Sequence, residues 1–522
     1  MFTFLLVSEM HDLIYWINGW RLGLLTLLLS WYAHFRLQKR RQHRADKLFG
    51  EQNGCKPIEK KLPYKWPLAI DIFKKQYDAL MRGNLLAYQA DYFRKFKVGD
   101  TFEIKLLGRI GYFTMDPRNL EAMLQTHFDD WELGNSRDAL LPMIGNGIFT
   151  QDGNAWKHSR EIMRRQFVRV QYQDMAIFEQ PVNELLASLQ DCTGVIDLQL
   201  FFFRFTLSTT ISLIFGEPST SLKQSDHSMF AEAFDYTSLI SAMRMRLADL
   251  CWLYNPPSYR KACDLINRYA ANYVDNAIID VKENGEEAAA NRHTFICDLL
   301  KELKDPKLVR DQLMNVLIAG RDTTACLMTW ACYQLVRHPA ALERLRQEIM
   351  SIAQTKDQLN RAQISKMTYL RYVLNETNRL YTQIPANVRM AKKTTYLPKG
   401  AGPDGESPLL IPKGTGVGFS PYHMHRRTDI YGDDANEFRP ERWENPELRH
   451  VGFGFMPFHG GPRLCLGKDF ALTEASYGLV CLFQTFPNLR IAPGALQTTP
   501  GLEKQNLTIV VSSAEGCNVL LN

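Results

Sequence analysis

The residue of this sequence with the most specific chemical signal is Cys465, which lies in a short loop rich in glycine. The loop runs from Phe458 to Gly467, with glycines and a proline before the cysteine. A helix is predicted to begin at Ala471, directly after the loop. Because backbone amides and a helix N-terminus stabilise negative charge, the loop favours a thiolate at Cys465. Arg463 beside it can neutralise an anion.

Three further charged residues could form an ionic network. Glu376 and Arg379 share one face of a predicted helix from Thr368 to Thr382, because residues three positions apart are neighbours on a helix surface. In isolation this spacing more often gives a solvated surface pair. Arg442 lies in the proline-containing segment Phe438 to Trp443 and could join the pair, since buried charges need partners.

An acid and an alcohol stand at the centre of the longest predicted helix, from about Leu308 to Arg337. Asp322 and Thr323 follow Gly320, and this composition is poor helix material. A threonine hydroxyl can bond back to the carbonyl one turn earlier and bend the helix. The plain interpretation is a kinked core helix, and the functional one is an opening in which both side chains relay protons to a bound oxygen.

The elements that must position these groups are mainly helical. Residues 117 to 382 show helical spacing, whereas Thr101 to Leu106 alternates as a strand and residues 388 to 420 combine short strands with turn signals. No Gly-x-Gly-x-x-Gly motif follows a strand, so a separate dinucleotide-binding domain is not expected. The sequence therefore predicts a mainly α fold with a minor β portion.

Composition and charge exclude several classes of protein. The 522 residues are 45% hydrophobic, too apolar for a disordered chain, and contain only one long apolar stretch. A formal charge of +6 is mild for this length and does not indicate nucleic-acid binding. The ten cysteines include no C-x-x-C pair and no zinc or iron–sulfur spacing, so those other than Cys465 are interpreted as reduced, buried side chains.

The N-terminus is predicted to anchor the chain in a membrane. The segment Leu13 to Phe35, broken only by Asn18 and Arg21, is long enough to cross a bilayer as a helix. The basic residues that follow it would keep the rest of the chain in the cytosol: Arg36, Lys39, Arg40, Arg41, Arg44 and Lys47. A cleaved signal peptide would carry its charge before the apolar core; a buried or amphipathic helix stays open as an alternative.

Together, these motifs resemble those of cytochrome P450, a family of haem-thiolate monooxygenases, over essentially the whole chain after the anchor. The cysteine loop matches the family pattern Phe-x-x-Gly-x-Arg-x-Cys-x-Gly. Several other runs are most similar to fungal P450s that hydroxylate n-alkanes and fatty acids. The resemblance implies one large haem-enclosing domain at residues 68–522, behind an anchor at residues 1–35 and a basic, proline-marked linker at residues 36–67.

The resemblance also implies a role for each motif residue. Cys465 would be the axial thiolate ligand of haem b, Asp322 and Thr323 the pair that supplies protons, and Glu376, Arg379 and Arg442 a structural triad. The other residues implied to bind the haem are Trp156, Arg160, Arg389, Phe458, Arg463 and Gly467. Related animal fatty-acid hydroxylases carry a glutamate that can esterify haem, and because that position falls at Gln312 here, covalent attachment is not expected.

The implied partners are a hydrophobic small molecule, the endoplasmic reticulum membrane and, since no flavin or nicotinamide motif is present, an NADPH–cytochrome P450 reductase. A basic surface would fit such an acidic partner, although it could equally be an ordinary solvated helix face: Lys157, Arg160, Arg164, Arg165, Arg169 and Lys468. The resemblance implies that these segments line the substrate pocket: Thr126 to Ile148, Phe234 to Arg246, Leu317, Ile384 to Val388 and the region of Leu502.

Two rival functions stay open. One is an isomerase or dehydratase with the P450 fold, which the intact Asp322–Thr323 pair disfavours. The other is a non-catalytic haem-binding carrier, which would need Cys465 but not Thr323. Substrate identity and regiochemistry are not determined by the sequence.

Overall fold

The computed structural model describes residues 2–106, 108–134, 136–172, 175–216, 224–495 and 498–521, with side chains from residue 24 onward except at 106, 170–172, 224–228 and 291. Helices dominate, as predicted, and the sheets are small. The helices are α1 Phe2–Gln52, α2 Ile70–Met81, α3 Leu85–Phe96, α4 Pro117–Glu121, α5 Ser136–Ile144, α6 Gly153–Tyr172, α7 Ala176–Gln190, α8 Leu198–Phe215, α9 Gln224–Arg246, α10 Pro257–Asn284, α11 Glu286–Arg292, α12 Thr294–Leu303, α13 Pro306–Leu335, α14 Pro339–Ile352, α15 Arg361–Lys366, α16 Thr368–Leu380, α17 Pro421–Met424, α18 Thr428–Tyr431 and α19 Lys468–Thr485.

The strands form four small sheets. A five-stranded sheet has the order β1-β2-β8-β5-β3, and the other sheets are β6-β7, β10-β11 and β4-β12-β9. The strands are β1 Thr101–Leu106, β2 Arg109–Thr114, β3 Trp131–Glu132, β4 Ile196–Asp197, β5 Asn387–Ala391, β6 Thr395–Ala401, β7 Ser407–Ile411, β8 Gly416–Phe419, β9 Arg490–Ile491, β10 Gln505–Leu507, β11 Val511–Ser513 and β12 Asn518–Leu520.

The long helix α13 forms the centre of the main hydrophobic core. It begins after Asp305, whose side chain caps it by accepting a hydrogen bond from Lys307 N. It packs against α8, α10, α16 and α19, and nearly all of its residues from Val309 onward are buried. Because α13 and α19 are in contact, the helix that follows Cys465 lies beside the helix that carries Asp322 and Thr323.

A single helix, α1, extends through both the predicted anchor and the basic segment after it. The side chains of the predicted span up to residue 23 lie outside the described residues. From Leu24 to Ala45 every side chain is exposed, including leucines and aromatic residues. Among the described residues, the helix that is long and apolar enough to span a membrane is Leu198–Phe215, but 67% of it is buried. We therefore interpret α8 as a core helix.

Candidate functional site

The loop of Cys465 is held by close backbone contacts. Cys465 N donates a hydrogen bond to Phe458 O at 3.0 Å. Gly461 adopts a φ of +63°, and a Cβ atom on it would lie 1.9 Å from Leu124 O. Only glycine tolerates both the left-handed conformation and this approach of the neighbouring backbone. The loop is thus fixed against the Leu124 segment, and the position of the thiol is fixed with it.

Cys465 is chemically distinct from the other nine cysteines. Its side chain is exposed, whereas all the others are free thiols that are buried or half-buried. Burial of its sulfur among protein atoms raises the pKa of the thiol, while the backbone amide of Gly467 and the charges of Arg160 and Lys468 act in the opposite direction. A thiol that is accessible yet close to many protein atoms is available to bind a metal ion.

Positive charge accumulates beside this thiol. Arg463 Nη2 donates to Asp152 Oδ1 at 2.6 Å, and its guanidinium lies 4.5 Å from the centre of the Trp156 ring. Burial, followed by repulsion from Arg463, lowers the pKa of Arg389 to about 9. Arg160 lies over the same Trp156 ring. Among the described residues, Asp152 is the carboxylate that offsets these arginines, so the cluster retains excess positive charge.

The donor set fits the haem that the resemblance implies. Iron is bound by a thiolate, and two propionate carboxylates need guanidinium partners when they are placed inside a protein. An accessible cysteine sulfur and a cluster of partly uncompensated arginines meet both requirements. Gln312 is buried and neutral, and its amide donates to Ser159 Oγ at 2.7 Å and accepts from Ile148 N at 3.3 Å. It supplies no carboxylate for covalent attachment.

The predicted ionic network lies in the interior of the protein. Glu376 and Arg379 have no exposed side-chain surface, and they form two hydrogen bonds, with Nε–Oε2 and Nη2–Oε1 distances of 2.9 and 2.8 Å. Arg442 Nε approaches Glu376 Oε1 at 3.3 Å, and its Nη1 lies 2.6 Å from Asp434 Oδ1. Trp443 Nε1 also donates to the glutamate. The network therefore fastens α16 to the segment 434–443.

The acid and the alcohol of α13 are held differently. Thr323 Oγ1 donates to Ala319 O at 2.6 Å, which leaves its lone pairs free to accept. Asp322 Oδ1 accepts from Arg321 Nη1 at 3.0 Å, and the same nitrogen also contacts Asp235 of α9. Burial raises the pKa of Asp322 to about 6 although Arg321 opposes the shift. Asp322 can therefore gain and lose a proton close to neutral pH.

Several predicted pocket segments lie near one another around the end of α9. Arg244 donates to Ala139 O of α5 at 3.3 Å, and Arg246 donates to Leu507 O of β10 at 2.6 Å. The end of α9 therefore lies between the predicted segment before residue 148 and the β10–β11 hairpin. Leu502, just before that hairpin, is 63% exposed.

Sequence reasoning missed four residues of the site. Arg321 and Asp235 flank Asp322, Asp152 pairs with Arg463, and His459 contacts Arg389. Arg321 and Asp235 are 86 positions apart in the sequence, and Asp152 and Arg463 are 311 positions apart. No local pattern reveals contacts over such separations. His459 does carry a local signal, because it lies inside the cysteine loop.

Comparison of the sequence with known proteins identifies the family of this chain. The family model for cytochrome P450 matches residues 61–501. A protein named cytochrome P450 from Arthroderma benhamiae is 41% identical over 501 residues, which cover 94% of this chain and 97% of that protein. Cytochrome P450 52A10 of Candida maltosa is 41% identical over 417 residues, 76% and 79% of the two chains. Cytochrome P450 monooxygenase g430 of a Fusarium species is 36% identical over 494 residues, 89% and 84% of the two chains.

Proposed function

The chain belongs to the cytochrome P450 family of monooxygenases, and on that premise we propose that it inserts one oxygen atom from O2 into an apolar organic substrate with electrons from NADPH. The observation that carries the proposal is the accessible thiol of Cys465 beside arginines that are buried or half-buried and only partly compensated. The intact acid–alcohol pair on α13 favours monooxygenation over an isomerase, a dehydratase or a carrier, because those functions do not activate dioxygen and have less need of that pair.

In this proposal the cofactor is haem b, bound through Cys465. When bound, haem supplies the activation of dioxygen. Arg160, Arg389 and Arg463 would hold its carboxylates, with Trp156 packed against two of these guanidinium groups. Phe458 and Gly467 shape the loop: the Phe458 carbonyl accepts from Cys465 N, and the amide of Gly467 stabilises negative charge on the sulfur.

The proton path uses two side chains of α13. Thr323 donates its hydroxyl hydrogen to Ala319 O, so its oxygen can accept a hydrogen bond from a ligand in the pocket. Asp322 exchanges a proton near neutral pH because burial raises its pKa to about 6. Arg321 holds Asp322 by a charge-assisted hydrogen bond, which favours the ionised carboxylate between proton transfers.

We propose a long-chain fatty acid or alkane as substrate, with an intermediate of secondary metabolism as the alternative. Support comes from the similarity of the motifs to fungal P450s that hydroxylate such chains. Of the predicted pocket residues, exposed Leu502 suits the same class of molecule, whereas Leu317 is fully buried in the core.

We propose an NADPH–cytochrome P450 reductase as the electron donor and the basic surface near Cys465 as its docking face. On that surface Arg164, Arg165 and Arg169 form ion pairs with Glu161, Glu302 and Asp298. Lys157 and Lys468 are exposed, and no ion pair of either lysine is found among the described residues. These two lysines, rather than the basic surface as a whole, are therefore the strongest candidates for contact with an acidic partner.

The proposed location is the endoplasmic reticulum membrane, with residues 1–35 as the single anchor and the catalytic domain, residues 68–522, in the cytosol. Support comes from the exposed apolar surface of α1 from Leu24 onward and the basic residues that follow it.

The test combines full-length protein with a reductase, NADPH and ¹⁸O2, and supplies a fatty acid, an alkane of equal length or an aromatic compound. Incorporation of one ¹⁸O atom per product is expected with a long-chain substrate. NADPH consumption without oxidation of any substrate would refute the proposal. Cys465→Ser should abolish the thiolate signature in the spectrum of the reduced carbon monoxide complex; an unchanged spectrum would refute the ligand assignment.

A further inference from the structure

His459 lies in the cysteine loop and contacts one of the proposed haem-binding arginines. Arg389 Nη2 is 2.9 Å from His459 Nε2, and His459 Nδ1 is 2.9 Å from Gly460 O. A guanidinium group can only donate and a carbonyl oxygen can only accept. The imidazole must therefore carry its hydrogen on Nδ1 and accept from Arg389 through Nε2.

The surroundings of this imidazole favour its neutral form. Burial, followed by repulsion from Arg389, lowers the pKa of His459 to about 3, with Arg463 and Arg160 acting in the same direction. A protonated ring would lose the acceptor that Arg389 uses and would add another positive charge to the cluster. The ring is thus a constant neutral acceptor.

Neutral groups hold Arg389 without cancelling its charge. Besides His459, its acceptors are Asn387 Oδ1 at 2.9 Å and Val388 O at 2.8 Å, both reached from Nη1. Among the described residues none accepts from Nε, and Asp152, the nearby carboxylate, bonds to Arg463 instead. The guanidinium is therefore oriented by three uncharged partners, and its charge remains for an anionic ligand.

The backbone of His459 is unusual as well. Its φ is +65°, a left-handed conformation that only five other described non-glycine residues adopt and that costs an ordinary residue roughly 1–2 kcal/mol. The His459 ring makes an edge contact with Phe419 of β8, with 6.0 Å between ring centres. Backbone strain of this kind persists where surrounding contacts impose it, and it is concentrated at functional sites.

We propose that His459 is a positioning residue: its neutral ring holds the Arg389 guanidinium toward a carboxylate of the bound haem, so that it slows haem loss and raises the reduction potential of the iron. This inference rests on the haem site of the proposed function. Without the His459 acceptor, the guanidinium would be free to rotate away from the carboxylate, which would then be less well neutralised. A less neutralised carboxylate stabilises the oxidised, more positive iron and lowers its potential.

The experiment compares His459→Phe, which keeps the ring but has no acceptor, with His459→Asn, which tolerates the left-handed backbone but is too short to replace Nε2. Each holoprotein is mixed with excess apomyoglobin to measure haem transfer, and its midpoint potential is measured by redox titration. Both variants are expected to lose haem about tenfold faster, the factor that corresponds to one hydrogen bond to a charged group, and to have a lower potential.

Two further comparisons separate positioning from a merely structural role. His459→Gln restores an acceptor oxygen and is expected to recover most of the potential. In an Arg389→Gln background, His459→Asn should change neither quantity further, because its effect acts through Arg389. The matched control is His450→Phe, an exposed histidine outside the loop.

Wild-type transfer rates and potentials in both His459→Phe and His459→Asn would overturn the inference. So would an undiminished effect in the Arg389→Gln background. These results differ from failure of the proposed function, in which the wild-type protein itself would bind no haem with a thiolate spectrum.

Discussion

At the scale of single residues, the candidate site depends on charges that are buried but only partly cancelled. Arg389 is 5% exposed, and its hydrogen-bond acceptors among the described residues are all neutral. Asp322 is also 5% exposed, and its partner Arg321 is shared with Asp235. A buried charge without a full counter-charge costs free energy unless a ligand supplies that charge. These residues are therefore the ones whose properties should change most on ligand binding.

We predict that Asp322 sets a pH dependence of product formation. Its pKa is raised to about 6, chiefly by burial, so that the carboxyl is protonated below that pH and ionised above it. If Asp322 donates the proton, the fraction of NADPH converted to product should fall as pH rises through about 6. Asp322→Asn should lower that fraction and remove the inflection. An identical pH profile in wild type and variant would contradict this role.

The sequence was sufficient for residues whose partners are close along the chain, or whose loop has a distinctive composition. Cys465 and the Glu376–Arg379 pair belong to this group. It was not sufficient for Arg321, because its contact with Asp235 exists only once α9 has packed against α13. The burial of Arg379 could not be predicted either, since the same spacing is typical of solvated surface pairs.

At the scale of secondary-structure elements, Glu376 joins α16 to the irregular segment that precedes the cysteine loop. Its carboxylate accepts from Arg379, Arg442, Trp443 and the backbone of Arg439. These partners lie as many as 67 residues away, so the network joins parts of the chain that are far apart in sequence.

We predict that Glu376→Gln destabilises the protein by about 3–5 kcal/mol, because it leaves buried Arg379 without its carboxylate partner and leaves buried Arg442 with Asp434 alone. Thermal unfolding and the yield of haem-containing protein should both show the loss. Arg344→Gln is the control: Arg344 is half-exposed and pairs with exposed Glu444, so the cost should be below about 1 kcal/mol. Equal stability of the two variants would contradict the prediction.

Arg244 connects α9, α5 and the 3₁₀ turn Ala248–Leu253. Its guanidinium is buried and donates to Cys251 O at 3.1 Å and Tyr254 O at 2.9 Å, as well as to α5. It thus fixes a turn whose Trp252 is 68% exposed by donating to two of its carbonyls, of which Cys251 O also accepts from Tyr254 N.

We predict that Arg244→Ala increases proteolysis between residues 248 and 254, because both carbonyls lose the hydrogen bond from Arg244 and the turn opens more often. Limited proteolysis followed by mass spectrometry would locate the cleavage. Arg246→Ala is the comparison, since Arg246 donates to a single carbonyl on the other side of α9. Greater cleavage of the turn in Arg246→Ala than in Arg244→Ala would count against this account.

At the scale of the whole molecule, charge is distributed unevenly. The segment from Arg36 to Lys47 holds six basic residues and one acidic residue, so it accounts for +5 of the formal charge of +6. The remainder of the chain is close to neutral. The mild basicity of the protein is thus a property of the region after the predicted anchor. Basic residues at this place would orient the anchor in the membrane, and they give the catalytic domain as a whole no strong positive charge.

We predict that a chain beginning at Arg41 leaves membranes but keeps its catalytic domain intact. The first close contacts of α1 with that domain are near the end of the helix. Asp46 is buried and accepts from Thr394 Oγ1 at 2.6 Å, and Phe49 packs on Tyr396. Within α1, Gln42 also donates to Asp46. Residues before Gln42 are exposed wherever their side chains are described, so their removal should leave the thermal stability and the carbon monoxide spectrum unchanged. Sedimentation with membranes should fall sharply. Removal of residues 1–54 gives the contrasting variant. It also removes the contacts of Asp46 and Phe49 and should therefore lower the melting temperature. Full membrane association of the chain beginning at Arg41 would show that another surface anchors the protein.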